Sequence, residues 1–386
     1  TSEIYTSLFV GSGRCVYETG VGATCCDEVA EYWDRYTAAG KELTAAAAVS
    51  LVYYDYPAML VEAMQQAGTV TDTDAIVAAL EGLTYDGVLG NAMSFDDEHI
   101  ISHGYDLCFV DQGEYDCGNF DPDTPAAPVV EEVAAPTGTV KVGLITSLTG
   151  DFVVYGDVIE GGVSLAVEEI NAAGGFEVDG TVYTIDLVTV DTRSDTSAAA
   201  AAATELIRDE GGDFLIGPGI DHFTELVIPL TQPEKIIHLS SSTLLSDFLS
   251  PENVAPGGEN HYLFKTQSAF TVMMELFGKG AKAFLPDSEK SVIFLPEDDI
   301  VQWITPMIQG GFEAIGHSVE TVAYPPGTTD FAPFLTKAKA LEPDLVHFWY
   351  NPPDEMAALR DALELDVAGA YYLHSVDPGV FKEEFP

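Results

Sequence analysis

The residues that could do chemistry in this 386-residue chain are scattered, and their spacing sets up no catalytic machine. There is no GxSxG elbow, HExxH helix, GxxxxGKS/T loop or paired CxxC, the patterns that build a nucleophile, a metal-bound hydroxide, a phosphate cradle or a redox couple. Gly11-Ser12-Gly13 is too short for a nucleotide fingerprint, and Asp221 beside His222 reads as an ordinary surface pair rather than a dyad. An enzyme is the least expected reading, and no cofactor is implied. The five cysteines are Cys15, Cys25, Cys26, Cys108 and Cys117, all before residue 120, and no histidine spacing completes a zinc site with them. In LCFVDQGEYDC a turn at Asp111-Gln112-Gly113-Glu114 sets Cys108 opposite Cys117 across a hairpin, where a disulfide fits. Cys15 is in reach of Cys25 or Cys26, which leaves one thiol over. Such bridges imply an oxidising, extracytoplasmic compartment; the plain alternative is five unpaired structural thiols.

Binding chemistry needs elements to position it, and one stretch supplies them. In Val140–Gly175 a buried strand is followed by a loop rich in Thr, Gly and Ser over Thr146–Gly156. A helix over Val158–Ile170 comes next, closed by Ala172-Ala173-Gly174-Gly175. That is the first half of a βαβ unit, and ligands gather where such strands end and helices begin. Before it, the sequence predicts an apolar strand in residues 1–10 and a helix over Asp27–Ala39 with Val29, Tyr32 and Tyr36 on one face. A long helix over Leu43–Ala67, bent near Pro57, precedes one capped by Asp72-Thr73-Asp74. Tyr85–Phe95 is turn-rich and extended, and the cysteine hairpin follows. Residues 119–138, NFDPDTPAAPVVEEVAAPTG, have no period that could bury a face and read as a semi-extended linker. Beyond them strands and helices alternate: strands at VYTIDLVTVD, DFLIGPG, KIIHLSSST, HYLFKTQ, SVIFLPED, SVETVAYPP, DLVHFWYNP and GAYYLHSV, with helices between, among them ELVIPLTQP and FTVMMELFGKGAKAFL. The expectation is an α/β fold with parallel sheets covered on both faces.

Charge excludes further classes. Asp and Glu number 63 against 15 Lys and Arg, a net charge of -48, which repels nucleic acid. Self-repulsion of this size needs salt to screen it and suggests a saline habitat; selection for cationic ligands is a reading that rests on charge alone. No stretch approaches eighteen consecutive apolar residues, so no membrane span is expected. Thr1-Ser2-Glu3 lacks the features of an export signal, so any such signal is expected outside these residues.

Taken together, Val140–Gly175, LIGPG at 215–219, NHYLFKT at 260–266 and YPPGTTDFAPFLTKAKALEPD at 324–344 resemble the substrate-binding proteins of ABC transporters. The resemblance is to the Leu/Ile/Val-binding class of the type I periplasmic binding fold. Residues 1–118 also match, through YDYPAMLVEAMQQAG, ALEGLTYDG and SFDDE, but they resemble that family's C-terminal part. The order is rotated. It fits a circular permutant whose linker joins the family's natural ends, or the tail of one module and head of the next in a tandem array. The resemblance implies two doubly wound parallel-sheet lobes joined by a hinge of three crossovers. Residues 1–118 would be the family's C-terminal part, 119–138 the linker, 139–261 the N-terminal part of lobe I and 262–386 lobe II.

The same resemblance implies a site. Family receptors hold a zwitterion in the cleft between lobes with hydroxyls, backbone N–H groups and an acidic side chain. HLSSST points to Ser241, Ser242 and Thr243; HSVDP puts Asp377 where the family keeps an acid for the ammonium; Tyr155, Tyr350 and its neighbour Trp349 stand at aromatic positions. The plainer readings are a mere loop, a turn-starting Asp, and core aromatics. Where the family carries a Ser-Ser pair, this chain has Gly219-Ile220-Asp221-His222, and a desolvated, unpaired Asp221 would repel a carboxylate by several kcal/mol. Either His222 is protonated and neutralises it, or the ligand is an amide, urea or amine. An aromatic usual near Ile300 is also missing, with Trp303 as a substitute. The implied function is an extracytoplasmic receptor, lipid-anchored through the linker, that passes an amino-acid-like ligand to an ABC permease. The alternative is a structural module among identical neighbours in a surface layer or filament.

Overall fold

Apolar runs become strands buried on both faces, as parallel sheets require. The structure is a computed structural model that describes residues 6–11, 27–41, 49–88, 90–101, 105–111, 114–120, 136–210, 214–241, 248–266, 274, 278–279, 281–282, 285–297, 299–349 and 352–373. First come β1 (Thr6–Gly11), the helices α1 (Asp27–Ala38), α2 (Val49–Ala67) and α3 (Thr73–Glu81), the ribbon β2 (Tyr85–Gly87) and β3 (Gly90–Met93), and the hairpin β4 (Tyr105–Asp111) and β5 (Glu114–Phe120). The middle holds β6 (Gly138–Thr146), α4 (Val153–Ala172), β7 (Phe176–Val178), β8 (Thr181–Asp191), α5 (Thr196–Glu205), β9 (Phe214–Ile216), α6 (Asp221–Thr231), β10 (Ile237–Ser240), α7 (Pro251–Val254) and β11 (Leu263–Lys265). The last part holds β12 (Lys290–Pro296), α8 (Asp299–Glu313), β13 (Ser318–Tyr324), α9 (Ala332–Lys339), β14 (Leu345–Phe348), α10 (Pro352–Leu365) and β15 (Ala370–Leu373).

Besides the β2–β3 ribbon, the described residues form two larger sheets, both mainly parallel. One runs β11-β10-β9-β6-β8-β7, with only β7 antiparallel to its neighbour. The other runs β13-β12-β14-β15-β1-β4-β5, parallel from β13 to β1 and antiparallel across β1-β4-β5. This second sheet is composite in sequence. β1 pairs with β15, Thr6 opposite Tyr371, so the chain's first described strand lies beside its last. The first lobe is composite too: Tyr32, Tyr36, Tyr53, Met59 and Leu60 of α1 and α2 share one core with Val142, Ile159, Val163, Ile216 and Leu239.

The capping and turn chemistry explains the element ends. Asp72 accepts a hydrogen bond from Ala75 N–H at 3.2 Å and starts α3; Asp195 does the same for α5, from Ala198 N–H at 2.9 Å. Helix α2 runs through Pro57. Several expectations shift. β11 still belongs to the first sheet, so that sheet extends past residue 261. β5 reaches Phe120 and β6 begins at Gly138, which trims the linker at both ends; residues 121–135 lie outside the described residues. β7 was not expected at all: it folds onto β8 through Asp179 and Gly180, both at positive φ (47° and 77°), the conformation of a two-residue hairpin turn. The hairpin register does set Cys108 opposite Cys117. The side chains of Cys108 and Cys117, and Cys15, Cys25 and Cys26 altogether, lie outside the described residues, so no disulfide is supported.

Candidate functional site

The carboxyl ends of β6, β8, β9, β10 and β11 line up on one edge of the first sheet, because these strands are all parallel. The loops that leave them are knitted together by short polar side chains. Ser147 Oγ and Thr192 Oγ1 are 2.6 Å apart. Asp191 accepts from Leu148 N–H at 2.8 Å, Arg193 N–H at 2.7 Å and the Thr149 hydroxyl at 2.7 Å. Burial works to raise the Asp191 pKa, but these donors outweigh it and hold the carboxyl below its ordinary range. Gly156 lets α4 start hard against this loop, since a Cβ there would lie 1.8 Å from Ser147 O.

Tyr155 stands half-buried in the first turn of α4. The next loop, Gly217-Pro218-Gly219-Ile220, leads into α6, which starts earlier than ELVIPLTQP predicts. Asp221 and His222 therefore sit in a helical first turn, where a carboxylate is favoured by the helix dipole. His222 is brought to Phe152 of the β6 loop, with ring centroids 5.5 Å apart. Thr224 fastens the turn by donating to Pro218 O at 2.6 Å, and Ser240 donates to the same oxygen at 2.9 Å. Ser241 is buried at the end of β10, its N–H 3.5 Å from the Tyr53 hydroxyl.

Two residues of this edge were not singled out from the sequence. Tyr53, on α2, is fully buried; burial pushes its hydroxyl up to about 12, against hydrogen bonding with Ser241. A Cβ on Gly219 would lie 2.5 Å from that hydroxyl, so the glycine makes room for it. Lys265 ends β11 and is also fully buried. Burial lowers its pKa to about 8, opposed by the attraction of Asp221. The signal for Lys265 was present: one of few cations in an acidic chain, standing inside an apolar strand. For Tyr53 it was YYDYP on a core helix, since buried tyrosine hydroxyls need partners.

The structure thus gathers Tyr155, Asp221, His222 and Ser241 on one edge. Trp349 belongs elsewhere. It follows β14 in the second sheet, buried against its core, and its backbone N–H donates to Phe294 O at 3.0 Å. Ser242, Thr243, Tyr350 and Asp377, and the Trp303 side chain, lie outside the described residues.

The family model described as periplasmic binding protein matches residues 17–114 and 139–379. A leucine-, isoleucine-, valine-, threonine-, and alanine-binding protein of Pseudomonas aeruginosa is 24% identical over 228 residues, 58% of this chain and 57% of that protein. An ABC transporter substrate-binding protein from Sphaerobacter thermophilus is similar in structure with a TM-score of 0.52, 18% identity, and 61% and 62% of the two chains covered. A leucine-binding protein from Thermotoga maritima gives a TM-score of 0.51 at 20% identity, over 61% and 63%. The chain therefore spans less than two thirds of the length of each of these relatives, and the likeness to the solved structures is one of fold.

Proposed function

The chain belongs to the periplasmic binding protein family, and from that premise we propose that it is an extracytoplasmic receptor for a small carboxylate-bearing ligand of the amino-acid type, delivered to an ABC permease. The observation that carries the ligand class is Lys265. Asp221 stands where an anion's carboxylate would arrive, and alone it would repel one. With a buried ammonium attracted to it, the pair is close to neutral, and the donors around it can face an anion. That removes the need for a protonated His222 and favours an acid over an amide, urea or amine.

In this reading the first-turn N–H groups of α6 and Ser241, with Ser242 and Thr243, hold the carboxylate. Tyr155 lies against the ligand, and Asp377 and Tyr350 take the ammonium end. Trp349 is left as core. The amino-acid-binding relatives support amino acids as the first compounds to try. Calorimetry against the twenty amino acids, their amides, the corresponding amines and urea tests it: amino acids bind at micromolar or tighter affinity, and Ser241→Ala weakens binding at least tenfold. Amides or amines that bind while the acids do not would overturn the ligand class.

The rotated order is part of the same proposal: residues 1–118 supply the family's C-terminal part and 139–386 the rest. Three observations support it. The two stretches share one core; β1, β4 and β5 extend the sheet of β12–β15; and the family match breaks between 114 and 139. The comparisons lend no support to a filament role.

A further inference from the structure

Away from that edge, Glu81, His99 and His261 bring one ligand atom each to within 4.8 Å of one another. Glu81 ends α3, His99 sits in the turn before residue 101 at a positive φ of 57°, and His261 lies between α7 and β11. Both imidazoles are oriented from behind. His99 Nδ1 is 3.1 Å from Leu263 O and His261 Nδ1 is 2.7 Å from Val254 O. Carbonyl oxygens only accept, so each Nδ1 carries the proton and donates it. Each Nε2 is then the ring nitrogen left to face a ligand. This is the outer-shell arrangement that fixes the tautomer of metal-binding histidines.

The contact between His99 Nε2 and Glu81 Oε1, 3.1 Å, makes the case. A carboxylate oxygen and a lone-pair nitrogen are both acceptors, so something positive must lie between them. A second proton on the ring is one way. A metal cation is the other way, and two ligand atoms each about 2.1 Å from one zinc stand close to that separation. The ring is also clamped, stacked on Phe264 at 4.1 Å with a 4° tilt.

We propose that Glu81, His99 and His261 form a site for one divalent transition-metal ion, zinc by ligand type, with its fourth position open to solvent beside the exposed Glu81 carboxylate. Two imidazoles and one carboxylate are a known zinc ligand set. Its place in the chain gives it a purpose. Glu81 and His99 precede the linker and His261 follows it, so the ion clasps the two sequence-separated pieces at the point where Ile101 N–H donates to Lys265 O at 2.8 Å and Lys265 N–H donates to His99 O at 2.9 Å.

The test is zinc titration of the full, chelator-stripped chain by calorimetry in high salt, which screens the acidic surface. One equivalent binds saturably, and zinc raises the melting temperature. Glu81→Gln, at an exposed position, and His261→Asn each weaken binding at least tenfold and abolish that rise, while Glu81→Gln melts like the parent in chelator. Cobalt(II) in place of zinc gives visible ligand-field bands that Glu81→Gln loses. Absence of a saturable equivalent, or unchanged affinity in Glu81→Gln, overturns the site. Neither result bears on amino-acid binding.

Discussion

Lys265 keeps an ammonium out of water, and the cost of doing so depends on pH. Its pKa in the fold is about 8, below its ordinary value near 10.5. Between those two values the unfolded chain holds a proton that the folded one has released, so stability rises with pH across that window and the penalty is fully present below pH 8. Lys265→Met abolishes the dependence. The stability of the parent minus that of the variant, from urea unfolding, should climb between pH 8 and 10; a flat difference would show the lysine is not held as described. His238 behaves in the same sense at the acid end. It is fully buried, its Nε2–H donates to Gly217 O at 2.5 Å, and burial lowers its pKa from about 6.5 to about 4. Stability is therefore lost as pH falls from 6.5 toward 4, by up to about 1.4 kcal/mol per pH unit for this one proton. In His238→Gln, which keeps a donor for Gly217 O, acid unfolding should be shallower by that amount.

Helix α4 meets the first part of the chain through a glycine pair. A Cβ on Gly162 would lie 2.3 Å from Ser50 O of α2, and one on Gly161 would lie 2.4 Å from the Tyr36 hydroxyl of α1. Backbone oxygen cannot swing away, so Gly162→Ala must push the two helices apart at the seam between the pieces. A loss of about 2–3 kcal/mol is expected by urea unfolding. Gly310→Ala on α8, where a Cβ meets nothing within 4 Å, should be neutral or gain about 0.5–1 kcal/mol from helix propensity. The helices and parallel strands themselves were legible because apolar period and cap residues such as Asp72 are local properties. The β7 turn carries an Asp-Gly signal at Asp179-Gly180, but it lies only a few residues beyond the helix-ending glycines, and a three-residue strand between them leaves little pattern to read. The start of α6 was missed because Gly217-Pro218-Gly219 reads as loop and masks the turn that follows. Tyr53 and Lys265 escaped for a deeper reason: their roles arise only when α2 and β11 are packed beside strands far away in sequence. The two histidines and Glu81 escaped likewise, since no linear spacing joins residues 81, 99 and 261.

At the scale of the molecule, the question is whether chain order matters to the fold. Each lobe is assembled from both sides of residues 121–135: α1–α3 complete the first core, and β1, β4 and β5 complete the second sheet. Nothing in those contacts depends on the peptide bonds between residues 121 and 135. Joining β15 to β1 in one chain is another matter, because they are parallel neighbours and a parallel pair needs a crossover of about a dozen residues or more. Residues 374–386 followed by 1–5 supply that length. A chain reordered to run from 136 to 386 and then from 1 to 120 should therefore fold to the same two sheets. Its unfolding should stay cooperative, and its stability should match the parent's to within about 1–2 kcal/mol, the scale by which loop-closure entropy changes when one long connection is exchanged for another. Ligand binding in the calorimeter should carry over unchanged. If residues 1–118 instead complete a neighbouring copy, the parent chain would pair with other copies and its molar mass by light scattering would rise with concentration, while the reordered chain would stay monomeric. A parent that is monomeric and binds ligand with the reordered chain's affinity supports both pieces in one module; a concentration-dependent parent oligomer assigns the first piece to its neighbour.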